Sequence, residues 1–329
     1  MDNFLKKIYF IITLFLLSSC SFQNTGSFFK DHSKDLEKEI FKKNTKLVFA
    51  EAKNFKKEIT GITDAKIPEE VINSNWLETN YKKQNYIPHL KYNNSNNLIY
   101  KSKKLGKNKF DTTDLSFETL IYDNNIFLYD LSGNVFKFSI LNKKLVWKFN
   151  FYKKRYKKIP INLKLKISDN NLIVSDNLGY LYILDIQTGK LNWAKNFGVP
   201  FRSSIKTEKE NIFLLNQDNK FYIINKKDGE KKTNFETFPS ILKSELETSI
   251  SLDQSKNNLF FVTSAGQLYS INYKTNNLNW LINLSMTNKG QSKKFFFSSP
   301  IIFIKDTLYI STSISTYSIN AINGSINWE

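Results

Sequence analysis

Few side chains in this 329-residue chain are of types that do chemistry, and their spacing assembles no reactive set. Its one cysteine, Cys20, lies near the N-terminus, which removes disulfides, cysteine metal sites and any downstream cysteine nucleophile together. Of the two histidines, His32 falls in a polar, lysine-rich stretch, and His89 stands alone before Leu90, suited to a local hydrogen bond rather than to ligation. Asp185 and Asp228 sit where turns are expected. No Ser/His/Asp set, paired-carboxylate motif or glycine-rich phosphate loop has a supporting context. The reading is therefore no catalytic residue, no metal ligand and no cofactor. What remains is charge: 48 Lys and Arg against 30 Asp and Glu, a formal +18, densest at residues 153–158 (KKRYKK). That excess suits nucleic acid, an anionic membrane surface or an acidic protein partner. Much of it follows from a vocabulary rich in Asn, Lys, Ile, Phe and Tyr, as an AT-rich coding sequence produces.

The elements that hold these residues form a repeat. Residues 179–193 read GYLYILDIQTGKLNW, a short apolar strand, a turn that wants Asp and Gly, and a second strand closing on tryptophan. The same phrase closes at Trp147, Thr233, Trp280 and Trp328, with a worn copy at Tyr100. A period of about 46 residues with four short strands per unit is the signature of a β-propeller blade. Apolar spacing of two rather than 3.6 excludes helical repeats. Eleven residues before each close stand Phe136, Tyr182, Tyr222, Tyr269 and Tyr317, sharing a strand face with Phe138, Leu184, Ile224, Ile271 and Ile319. The column between them is also mostly apolar, which predicts a strand covered on both sides. Eight before the close come Ser139, Asp185, Asn225, Asn272 and Asn320, and four before it Lys143, Gly189, Gly229, Asn276 and Gly324, a hairpin turn. Trp147, Trp193, Trp280 and Trp328 are expected to seal each sheet against the next.

Before the repeats, a basic start at residues 1–7 and an apolar run at 8–17 are too short to span a membrane, so they form an export signal. Leu17-Ser18-Ser19-Cys20 resembles the lipobox of bacterial lipoproteins, with Cys20 as the lipidated residue. Export argues against a nucleic-acid partner. The chain divides into a lipoprotein signal peptide at 1–19, a lipid-anchored, partly disordered polar tether at 20–65, and a repeat domain at 66–329.

The lipobox, the tether, Asn75-Trp76, Pro88-His89-Leu90 and blades closing on D/N-x3-G-x3-W together resemble the BamB family of lipoproteins, within the wider PQQ-like propeller class. The resemblance implies an all-β propeller of four-stranded blades, about six of an expected eight, incomplete at the C-terminus as an open arc. It also implies a non-enzymatic scaffold on the periplasmic face of the outer membrane. The implied partners are the POTRA domains of BamA, other subunits of the β-barrel assembly machinery, and unfolded outer-membrane proteins. The family's contact loop corresponds to residues 238–243, with Ile241 and Leu242 as apolar contacts and Lys243 as a charged rim; the family pattern has an arginine shortly after, where this chain has Lys243-Ser244. A second family loop is acidic where this chain carries Lys293 and Lys294. Two other classes stay open: a quinoprotein-like enzyme, and a lipid-anchored propeller that binds a ligand or a cell-wall polymer.

Overall fold

The turn column decides the local structure. Lys143, Gly189, Gly229, Asn276 and Gly324 all take positive φ, between 52° and 75°. In each turn the residue four positions earlier accepts from backbone amides with its side chain, as Asp185 Oδ1 does from Gln187 and Thr188 and Asn320 Oδ1 from Ile322 and Asn323. The local hydrogen bond and the left-handed residue together close the hairpin. Every one of these hairpins also carries a register shift at the same place, for example between Ile183 and Leu184 and between Ser270 and Ile271.

A computed structural model describes residues 67–93, 97–98, 100–106, 118–156, 158–237, 247–285 and 296–329. Among them lie five four-stranded antiparallel sheets, each a meander in chain order. The first holds β1 (Leu120–Tyr122), β2 (Asn125–Tyr129), β3 (Asn134–Ser139) and β4 (Lys144–Asn150). The second holds β5 (Leu163–Ser168), β6 (Asn171–Asp176), β7 (Tyr180–Asp185) and β8 (Leu191–Asn196). The third is β9 (Lys206–Glu208), β10 (Asn211–Leu215), β11 (Phe221–Asn225) and β12 (Lys231–Phe235). The fourth is β13 (Ile250–Asp253), β14 (Asn258–Val262), β15 (Gln267–Asn272) and β16 (Asn277–Asn283). The fifth is β17 (Ile302–Ile304), β18 (Thr307–Ser311), β19 (Thr316–Asn320) and β20 (Ile326–Trp328). These are propeller blades, as the repeat predicts. First strands approach one another, β1 with β5, β9 with β13 and β13 with β17, so the blades converge at that end. The third strands are buried on both faces, as their two apolar columns require.

Two details differ from the sequence reading. Trp147, Trp193 and Trp280 lie inside β4, β8 and β16 rather than at their ends, because each strand continues past the indole. The sixth unit expected to close at Tyr100 is not a sheet among the described residues. Tyr100 nevertheless occupies a closing residue's place: its ring stacks on Phe138 and its hydroxyl donates to the Lys143 carbonyl at the first blade's turn.

The seams between blades follow one rule. Trp147 Nε1 donates to the Ile186 carbonyl, Trp193 Nε1 to Lys226 and Trp280 Nε1 to Ala321, each acceptor three residues before the next blade's turn glycine. A Cβ added at Gly189 would stand 2.7 Å from the Trp147 ring, so the indole demands glycine there as well as the positive φ does. Where the closing residue is Thr233 instead of Trp, the next turn carries Asn276, and Tyr273 fills the seam by packing on Phe213 at 5.1 Å.

Candidate functional site

Where the blades converge, a single segment, residues 76–85, touches all five sheets, bridging through residues 76–78 and then winding through turns. Trp76 pairs with Ile121 of β1 in both directions, its amide donating to the Ile121 carbonyl at 2.7 Å and the Ile121 amide donating back at 2.9 Å. The Ile167 amide of β5 donates to Leu77, Leu252 of β13 to Lys83, and Phe303 of β17 to Gln84. Lys206 of β9 donates its ammonium to the Lys82 carbonyl. Innermost strands otherwise present unpaired amides, so a strap that accepts from them satisfies groups whose burial would cost free energy.

Side chains lock the strap in place. Glu78, 2% exposed, lies 2.8 Å from the ammonium of Lys166 and 3.6 Å from that of Lys206. Its contact with Lys166 is an ion pair without hydrogen-bond alignment, since Glu78 Oε2 has no aligned donor. Lys206 is fully buried and also donates to Asn85 Oδ1. Burial pulls its pKa down to about 8 against the opposing pull of Glu78. Asn85 spends its amide on the carbonyls of Ile250 and Ile301, tying β13 to the chain just before β17. Nearby, Lys164 of β5 bridges Glu118 and Glu247, and burial raises the Glu247 carboxyl above its ordinary range. A cavity of about 570 Å³ opens beside the strap, bordered by Glu78, Tyr81, Lys82, Lys166 and Lys305.

Two ammoniums around one carboxylate repel a cation, and among the described residues no three His, Cys, Asp or Glu side chains come together to hold one. The residues present therefore do not fit a metal-dependent centre at the convergence. The arrangement ties the inner strands of the blades together. His89 Nδ1 lies 2.9 Å from the Pro68 carbonyl, the local contact expected of it. Cys20, Ile241, Leu242, Lys243, Lys293 and Lys294 lie outside the described residues. The sequence reading missed Glu78, Asn85, Lys166 and Lys206. One signal was there: Lys166 and Lys206 occupy the same repeat column, sixteen residues before Tyr182 and Tyr222, where Leu120 and Ile301 stand in other blades.

A sequence profile of the family described as outer membrane protein assembly factor BamB matches residues 117–329. No curated protein sequence matches the chain. Among solved structures, BamB from Moraxella catarrhalis aligns with a TM-score of 0.50 at 15% identity, over 62% of this chain and 60% of that one. A europium-containing methanol dehydrogenase gives 0.59 at 11% identity, over 77% of this chain and 57% of that one. Quinohemoprotein alcohol dehydrogenase ADHIIG from Pseudomonas putida HK5 gives 0.54 at 13% identity, over 80% and 50%. At these identities the likeness is one of fold, and the chain spans 50% to 60% of the length of these relatives.

Proposed function

The chain belongs to the family of outer membrane protein assembly factor BamB, and from that membership we propose a non-enzymatic, lipid-anchored scaffold of the outer-membrane β-barrel assembly machinery. In this reading Cys20 carries the lipid, the tether of residues 20–65 spans from the outer membrane to the propeller, and propeller loops dock on the periplasmic POTRA domains of the barrel subunit. Ile241 and Leu242 supply the apolar contact and Lys243 its charged rim. The observation that carries the proposal is the family match over residues 117–329. The strap supports it: the place where the blades converge is taken by the chain's own backbone and by a lysine-rich ion cluster, which suits a rigid ring with working loops better than a cofactor chamber.

A detergent pull-down from native membranes tests this reading. The intact protein is expected to recover the large barrel subunit, and Ile241→Asp with Leu242→Asp to lose it while the protein stays folded. Absence of the barrel subunit at low salt would overturn the proposal. Cys20→Ser is expected to move the protein from the membrane fraction to the soluble periplasmic fraction.

A further inference from the structure

A second cavity, beside a blade end, shares no lining residue with the one at the strap. It occupies about 820 Å³ where the β2–β3 turn of the first blade, the end of β4 and the connection to β5 meet residues 104–106. Its lining includes Lys104, Lys148 and Lys153 and no carboxylate. Among the described residues none of these lysines forms an ion pair, and the Lys148 ammonium sits 5.5 Å over the Phe136 ring. Two acids stand behind the lining, Asp130 beside Gly106 and Asp176 on Tyr152, and both already accept several hydrogen bonds. Asp130 accepts from the Asn134 side chain and from the amides of Ser132 and Asn134. Asp176 accepts from the Tyr152 hydroxyl at 2.6 Å and from the amides of Leu178 and Tyr180.

The walls are fixed before any ligand arrives. Tyr152 and Tyr156 meet edge to face at 6.1 Å, one hydroxyl held by Asp176 and the other by Tyr180. Asn150 is held by the Ser132 carbonyl and Asn134 Oδ1. The volume falls within the range of small-molecule sites. A purely apolar ligand leaves three ammoniums unanswered, and a bare anion leaves the tyrosine rings unused. The ligand that uses both is a compact ring with hydroxyls and a multiply charged anion, since phosphate brings about −1.5 to −2 charges and three strong acceptors. We propose that this cleft binds a phosphorylated saccharide, with Lys104, Lys148 and Lys153 taking the phosphate and the rings of Tyr152 and Tyr156 the sugar.

Titration calorimetry on the intact protein in detergent tests it with four probes: glucose 6-phosphate, glucose, inorganic phosphate, and vesicles carrying a phosphorylated glycolipid. Saturable binding of the sugar phosphate, at least tenfold tighter than either glucose or phosphate, is the expected result. Binding only to the glycolipid vesicles also supports the site and assigns the ligand to a lipid headgroup. Lys148→Met and Lys153→Met should each weaken binding roughly tenfold, the scale of losing one charged hydrogen bond. Lys274→Met, an exposed lysine on another blade, should leave it unchanged. Equal affinity for phosphate and sugar phosphate would overturn the proposal, as would no binding by any probe or an equal loss in Lys274→Met.

Discussion

The inner ends of the blades and the seams between them are held by opposite kinds of chemistry. At the seams an indole covers a glycine and donates one hydrogen bond to a carbonyl of the next blade, and the device is repeated with only local changes. At the inner ends one strap that occurs once in the chain gathers residues as distant in sequence as Asn85 and Ile301 around a buried carboxylate and two ammoniums. A seam fails alone, whereas the strap is common to five blades. Local repetition supplies blades, and the non-local strap fixes their mutual position.

The largest effect that separates the two regions lies within the seams themselves. Trp280 is 2% exposed and covered by the fifth blade, whereas Trp328 is 44% exposed. Trp280→Ala is expected to cost about 4 kcal/mol, the scale of emptying a buried aromatic site. Trp328→Ala should cost less than about 1 kcal/mol, since much of its surface already meets water. Urea unfolding of the two variants checks the contrast. Equal costs would mean that the indole matters to its own blade rather than to the seam.

Glu78→Gln breaks the inner device instead. It leaves Lys166 and Lys206 buried without their nearest countercharge, and removing one partner of a buried pair costs about 3–5 kcal/mol. The same change combined with Lys206→Met should recover part of that loss, because one uncompensated ammonium is removed with the carboxylate. A double variant no more stable than Glu78→Gln alone would show that the carboxylate acts through packing and not through charge. Unfolding by two probes sharpens the regional contrast: Trp280→Ala should loosen the fourth and fifth blades first, Glu78→Gln all five together.

Gly189→Ala tests the rule that couples each indole to the following turn. The added methyl group would meet the Trp147 ring at 2.7 Å and sit at φ 69°, so a loss of about 2 kcal/mol is expected. Trp147→Leu in the same chain should return part of it by vacating that space. This rule was legible in the sequence, because the columns of Gly and Trp recur at fixed spacing and their physics is local. The strap was not legible: residues 76–85 occur once, carry no period, and take their partners from strands up to about 220 residues away. Even the shared column of Lys166 and Lys206 reads as two stray surface lysines until the carboxylate that answers them is placed.

The smallest expected effect is also the one that tells charge from packing at the inner ends. Lys206 faces Glu78, Lys166 and Glu247, and burial sets its folded pKa at about 8 against an ordinary 10.5. Below pH 8 it is protonated in both the folded and unfolded chains, so the folded state bears the whole cost of burying the ammonium. Between 8 and 10.5 the folded chain gives up this proton while the unfolded chain keeps it, so the unfolded state binds more protons and stability rises with pH. The stability of the intact protein relative to Lys206→Met should therefore climb by about 1–2 kcal/mol from pH 7 to pH 9.5. The Trp280→Ala difference should stay flat over the same range, because the indole itself does not titrate and its hydrogen bond goes to the Ala321 carbonyl. A flat Lys206→Met difference would mean that Glu78 stabilises the ammonium enough to cancel its desolvation, and the inner ends would then be held by a matched ion pair as firmly as the seams are by their indoles.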